Sequence, residues 1–163
     1  MSPGKKKKKG AEAKPGEPTV GNRQARFRFH IEESLEAGVQ LLGTEVKAIR
    51  SGQANLTDSY VRFKGADAYL VGCHIGQYEG AGNAGHEPRR ERRLLMHRRE
   101  LDRLAVKVRE KGLTLICTRL YFKDGRCKAE VALAKGKKAH DKRAAIKERE
   151  VKKEMDRAIK QHR

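Results

Sequence analysis

The sequence predicts a mainly β fold, an OB-like antiparallel barrel of about six strands with one long helix and one or two short ones, followed by a basic tail disordered in isolation. Three observations lead there. Short segments alternate apolar with polar or basic residues and are separated by turn residues, the pattern of half-buried strands. One stretch instead repeats Leu94, Leu101, Leu104 and Val108 at helical spacing, with Arg98, Arg99, Arg103 and Lys107 on its other side. After Gly136 the composition turns almost wholly charged, which divides the chain into an extension over 1–21, a folded body over 22–136 and a tail over 137–163.

The elements follow in order. Residues 1–21 combine Lys, Gly, Pro, Glu and Ala with almost nothing to bury, and are expected to lack order. Arg26 to Ile31 alternates basic and apolar residues, a first strand with a cationic outer face, and Ala37 to Leu42 reads as a second. Thr44 offers an N-cap to a short helix that carries Glu45 in its first turn and ends at Gly52. Strands are expected over Leu56 to Lys64 and Ala68 to Ile75, joined by the turn Gly65-Ala66-Asp67. Gly76 to Glu91 is longer than an ordinary connection, which marks it as a candidate functional loop. Gly112 closes the long helix, and Leu113 to Phe122 with Cys127 to Ala134 forms a hairpin turned by Lys123-Asp124-Gly125-Arg126. In the tail, Ile146, Val151, Met155 and Ile159 make a stripe too narrow to dock firmly, so this segment is expected to become helical only on a partner.

Charge narrows the function. The chain has 163 residues and a formal net charge of +18, which a polyanion would neutralise, and nucleic acid is the commonest one. No apolar run approaches the roughly 20 residues of a membrane-spanning helix. Lys5 to Lys9 is followed by no apolar stretch, so it does not open a secretory signal, and the expected location is the cytoplasm. Cys73, Cys117 and Cys127 sit in apolar contexts as packing residues, and neither they nor the six histidines have the close pairing that a metal site requires. No cofactor or metal is expected. His140-Asp141 and Asp58-Ser59 are adjacent only in sequence and no nucleophile or phosphate-loop motif accompanies them, so catalysis is not expected either. Among so many cations, Glu36 and Glu45 stand out. A carboxylate beside RNA accepts from a base amino group or a ribose 2′-hydroxyl, and pairing with a nearby arginine is the equal alternative.

Four motifs taken together carry a resemblance. They are Asn22 with Ala25, EAGVQLLGTEVKAIRSGQANLTDSYV from Glu36 to Val61, RRERRLLMHRRE from Arg89 to Glu100, and LAKGKKAHDKR from Leu133 to Arg143. Over 22–163 the chain resembles the SsrA-binding protein family, also called small protein B. The resemblance implies an RNA-binding adaptor, not an enzyme, that grips the tRNA-like domain of transfer-messenger RNA and enters stalled ribosomes with it. It implies RNA contact at Glu36, Leu95 and Lys128, to which Asn22, Glu45, Lys47 and Arg50 are added as candidates. It also implies that the tail works in the decoding centre and the empty messenger channel of the small ribosomal subunit. The tail residues concerned are Gly136, Lys137, Lys138, His140, Asp141, Lys142 and Arg143, with Ile146 and Met155 on the stripe. Elongation factor Tu and alanyl-tRNA synthetase are implied as indirect partners, and the chain is expected to be a monomer. Two departures are Cys117, where many relatives have proline, and His74-Ile75-Gly76-Gln77, where many have an Asn-Ile-x-Pro-like run. A ribosomal or general RNA-packaging protein is the alternative.

Overall fold

The computed structural model describes residues 18–162, without the side chains of residues 83, 84 and 139–141. The segment 1–21 expected to lack order lies outside the described residues as far as residue 17, and so does Arg163. In chain order come β1 (Val20–Gly21), α1 (Ala25–Arg28), β2 (Phe29–Val39), α2 (Gly43–Arg50), β3 (Ala54–Asn55), β4 (Tyr60–Lys64), β5 (Asp67–Val71) and β6 (His74–Ile75). A 3-10 segment (Glu79–Ala84), β7 (Arg92–Leu95), α3 (Arg98–Lys111), β8 (Thr114–Lys123), β9 (Arg126–Gly136) and α4 (Ala139–Gln161) follow.

Strands β8, β4, β5, β7, β2 and β9 are hydrogen-bonded in that order, and β9 returns to β8, so six antiparallel strands close a ring. Closure gives each of these six strands a neighbour on both sides. The interior holds Leu70, Leu94, Leu115, Leu120, Val131 and Leu133, continuous with Leu101 and Leu104 of α3 and with Ala48 and Ile49 of α2. Alternate residues of β8 and β9 point outward, and there Ile116, Ala132 and Ala134 form a second small cluster with Ala25 of α1. That cluster seats α1 on the barrel wall. The β8–β9 hairpin turns through Asp124 at φ 52° and Gly125 at φ 74°, the left-handed pair of a two-residue hairpin.

Several boundaries differ from the expected ones, each for a local reason. Arg26 to Ile31 is not one strand: Ala25–Arg28 is a helical turn, and a single strand runs from Phe29 to Val39 where two were expected. Glu32 and Glu33 had broken the apolar alternation, but a shift in register between Ile31 and Glu33 lets the β9 ladder continue. Arg103 at 2.8 Å and Lys107 at 2.7 Å neutralise Glu33 from α3. Thr44 does not cap α2; its hydroxyl bonds His86 Nδ1 at 2.9 Å. The strand expected over Leu56 to Lys64 is only β4, because Leu56 to Ser59 form a turn in which the Ser59 amide donates to the Leu56 carbonyl at 3.0 Å. Ala68 to Ile75 is interrupted at Gly72, whose φ is 76° and where a Cβ would lie 2.6 Å from the Asp58 carbonyl oxygen. Leu94 belongs to β7 rather than to the helix, which starts only after the extended His97.

The tail, expected to be helical on a partner, forms the 23-residue helix α4. It leaves the apolar stripe in solvent, with Ile146, Val151, Met155 and Ile159 all large and exposed. It touches the body near α1, where the Arg149 guanidinium lies 5.9 Å from the centre of the Phe27 ring. Among the described residues no helix is long and apolar enough to cross a membrane.

Candidate nucleic-acid interface

Register on the outer face of the barrel brings three separate sequence segments together. Gly38 of β2 stands opposite Leu95 of β7 on one side and Lys128 of β9 on the other, and Lys128 stands opposite Tyr121 of β8. Glu36, two residues before Gly38, lies on the same face. Glu36, Leu95 and Lys128, which are 92 positions apart at their extremes, therefore line one groove with Gly38 as its floor. A second groove shares Gly38, Leu95 and Lys128 and is completed by Leu41, Val46 and Arg126. Leu95 is the ridge between them, 52% exposed. Gly38 makes the ridge possible, since a Cβ there would come 3.2 Å from Leu95 Cβ.

The polar groups on this face are oriented for a ligand. The Tyr121 hydroxyl donates to Glu36 Oε2, and Lys123 Nζ lies 3.6 Å from the same oxygen. The Tyr121 hydrogen bond, assisted by the charges of Lys123 and Lys128, holds the Glu36 carboxyl below its ordinary range despite partial burial. Burial, then the neighbouring carboxylate, pushes the Tyr121 phenol up, so it stays a donor. Oε1 of Glu36 has no partner among the described residues and is an open acceptor. Many barrel cations are spoken for: Arg62 and Lys64 by Glu91, Arg93 by Asp67 at 3.0 Å, Arg119 by Glu130 at 2.5 Å. Lys47, Arg50, Arg126 and Lys128 have no carboxylate partner among the described residues. Lys47 and Arg50 are exposed on α2, beside Val46 of the second groove, and rest over the rings of Tyr78 and Phe122 at 5.2 and 5.0 Å.

Two candidates do not belong to this surface. Glu45 is fully buried, with Arg90 at 2.7 Å from one oxygen and Arg92 at 3.0 Å from the other, so it cannot meet RNA; the pairing alternative is the one realised. Asn22 sits on the α1 side. Its amide donates to the carbonyls of Leu56 at 3.0 Å and Cys117 at 3.2 Å, and its Oδ1 accepts from the Gln24 amide, so its side chain ties β1 and α1 to the barrel.

The tail leaves from the far end. Gly136 pairs with Phe29, and the Lys137 amide donates to the Arg28 carbonyl at 2.9 Å. Gly38, at the groove, is nine residues along β2 from Phe29, roughly 30 Å at strand rise. Lys138 precedes α4, Lys142 lies in its first turn, and Arg143, Ile146 and Met155 are exposed along it. The side chains of His140 and Asp141 lie outside the described ones.

The family model described as SmpB protein matches residues 19–161, nearly all of the described chain. The chain belongs to the SmpB family. Among its relatives, the SsrA-binding protein of Anaeromyxobacter sp. (strain Fw109-5) is 52% identical over 149 residues, covering 91% of this chain and 90% of that protein. The SsrA-binding protein of Trichodesmium erythraeum (strain IMS101) is 54% identical over 142 residues, covering 86% and 91%. A solved chain described as "tmRNA-SmpB: a journey to the center of the bacterial ribosome" is similar at a TM-score of 0.64 and 46% identity, over 75% of this chain and 86% of that one. The mainly antiparallel barrel is thus an SmpB-family body. Tyr121 and Gly38 at this groove, and the buried Arg92 that pairs with Glu45, were not singled out from the sequence. Tyr121 and Gly38 acquire their meaning only through register, and Arg92 is one of four arginines within five residues that nothing local distinguishes.

Proposed function

We propose that this chain is an RNA-binding adaptor that grips the tRNA-like domain of transfer-messenger RNA and delivers it to stalled ribosomes for trans-translation. The observation that carries the reading is the convergence of Glu36, Leu95 and Lys128 around Gly38 in one exposed groove. An open carboxylate oxygen, an apolar ridge and an unpaired cation offer one contact each to a base or ribose donor, a base face and a phosphate. Single-stranded loops of a folded RNA present all three together. Lys47 and Arg50 extend the cationic rim. The names of the SmpB relatives support this ligand, and no step of the proposed role requires bond chemistry by the protein.

The tail has its own part in the proposal. Because it departs roughly 30 Å from the groove, RNA held at one end leaves α4 free at the other. There the cations at Lys137, Lys138, Lys142 and Arg143, with His140, Asp141 and the Ile146 and Met155 stripe, act in the decoding centre and the empty messenger channel. That channel is lined by RNA phosphate, and a tail of net charge +6 over 137–163 gains helix stability as its charges are neutralised. The chain acts as a cytoplasmic monomer, and elongation factor Tu and alanyl-tRNA synthetase work on the same RNA without needing to touch it.

The test is competition. Labelled tRNA-like domain bound to the full chain is challenged with unlabelled transfer-messenger RNA or with bulk ribosomal and transfer RNA. The proposal requires displacement by transfer-messenger RNA at far lower concentration; equal displacement would assign a general RNA-packaging role instead.

A further inference from the structure

The long loop after β6 is tied down at both ends and carries the aromatic ring of Tyr78. At its entry the Gly76 amide donates to the Gln53 carbonyl at 2.7 Å and the Ile75 amide to the Pro88 carbonyl at 2.9 Å. At its exit His86 Nε2 donates to the Ile75 carbonyl at 2.9 Å while the Thr44 hydroxyl donates to its Nδ1 at 2.9 Å. Buried Arg92 donates to the carbonyls of Cys73 at 2.6 Å and Pro88 at 3.1 Å, and with Arg90 it grips Glu45. The anchors Thr44 and Glu45 both lie in the first turn of α2, so the loop is bonded to the helix that carries Lys47. Lys47 is less than one turn further on.

Tyr78 stands in the middle of this loop. Its ring is half-buried, and its hydroxyl has no hydrogen-bond partner among the described residues. Residue 80 passes close beneath the ring: a Cβ at Gly80 would lie 2.7 Å from Tyr78 Cε1 and 3.1 Å from Cζ, so the ring occupies this position because residue 80 is glycine. The Lys47 ammonium lies 5.2 Å from the ring centre, on an exposed side chain without a carboxylate partner among the described residues. A half-buried aromatic beside an exposed cation matches the pairing that single-stranded nucleic acid needs, a stacking face next to a phosphate contact.

We infer that Tyr78 is a nucleotide-stacking post, which takes an unpaired base of the bound RNA on its ring when Lys47 turns away to the adjacent phosphate. The inference rests on the proposed RNA-binding function and deepens it by adding a second contact point across α2 from the Leu95 groove. It also gives the buried Glu45, Arg90, Arg92 and His86 network a role in positioning, since that network holds the loop against the helix that carries Lys47.

The experiment uses the full chain and the tRNA-like domain of transfer-messenger RNA, with affinity measured across a salt series and base reactivity probed in the complexes. Tyr78→Phe and Tyr78→Trp keep a stacking face and should bind within about twofold of the parent, whereas Tyr78→Leu should bind about fivefold or more weakly, the lower range for losing one base–aromatic stack. Tyr78→Leu should leave the salt slope unchanged and expose one or two unpaired nucleotides to base-modifying reagent. Lys47→Ala should instead make the slope shallower by roughly 0.7 to 0.9. Because Trp and Leu disturb loop packing alike, the difference between them reports stacking even if both lower the melting temperature. Equal binding by Tyr78→Leu and the parent, or a loss in Tyr78→Phe as large as in Tyr78→Leu, would overturn the inference. Weakening by Leu95→Ala and Lys128→Ala with none in Tyr78→Leu would overturn it while leaving the RNA-binding function intact; failure of the parent to prefer this RNA would overturn that function first.

Discussion

Replacing Lys128 by Ala separates a ligand contact from a structural one. Lys128 makes no direct ion pair among the described residues, its charge only assisting Glu36 from a distance, so its loss breaks no salt bridge of the fold. Its methylene stem packs on the outer face, and surface changes of this type shift stability by about 0.5 kcal/mol or less. If its ammonium neutralises one RNA phosphate, removal makes the slope of log affinity against log salt shallower by roughly 0.7 to 0.9. Over a fourfold rise in salt, from about 50 to 200 mM, the parent should then lose roughly threefold more affinity than the variant from this contact alone. The assay is filter binding or fluorescence anisotropy with the tRNA-like domain across that salt range, with a thermal melt of each protein. Parallel salt lines, or a drop in melting temperature accounting for the lost binding, would refute the assignment of Lys128 to a phosphate.

Three further outcomes follow from the same structure. Arg92→Met leaves a fully buried carboxylate short of one partner and the Cys73 carbonyl without the guanidinium donor, so urea unfolding should show a loss of about 3–5 kcal/mol. Truncation after Lys138 removes a helix exposed along nearly its whole length, and the melting temperature should stay within about 2 °C of the parent's; a larger fall would show that α4 docks on the body. The Lys107 hydrogen bond, with Arg103 beside it, holds the Glu33 carboxyl below its ordinary value of 4.5. The folded state therefore binds fewer protons there, and this stabilisation is complete above that value and disappears as pH falls through the lowered one. Glu33→Gln should accordingly be less stable than the parent at neutral pH and lose less on acidification, as urea unfolding at the two pH values would show.

The sequence carried the fold class through local signals. The β8–β9 hairpin was legible because Asp124-Gly125 is the turn that a two-residue connection demands, and Gly112 ended α3 where expected, at φ 61°. Signals that tertiary pairing overrides were misread. Glu32 and Glu33 hid the continuity of β2, which depends on the β9 ladder and on cations from α3. Leu94 fitted a helical period by coincidence of spacing with Leu101, yet lies on a strand. At the site, Glu36, Leu95 and Lys128 entered through family motifs, and only strand register explains why they meet at Gly38. Glu45 shows the opposite limit: its charge pattern permitted both RNA contact and an arginine partner, and its burial decides for the partner.

The central claim is that the barrel holds RNA while the tail, leaving from the far end, acts on the ribosome. The most direct measurement pairs affinity for free transfer-messenger RNA with alanine transfer to a stalled peptide, for a variant carrying Asp141, Lys142 and Arg143 all changed to Ala. Binding close to the parent's with transfer abolished is the predicted result, and Leu95→Ala should lose both together. If the tail variant lost RNA affinity in parallel with transfer, the tail would be part of the primary RNA grip and the two-ended account would be wrong.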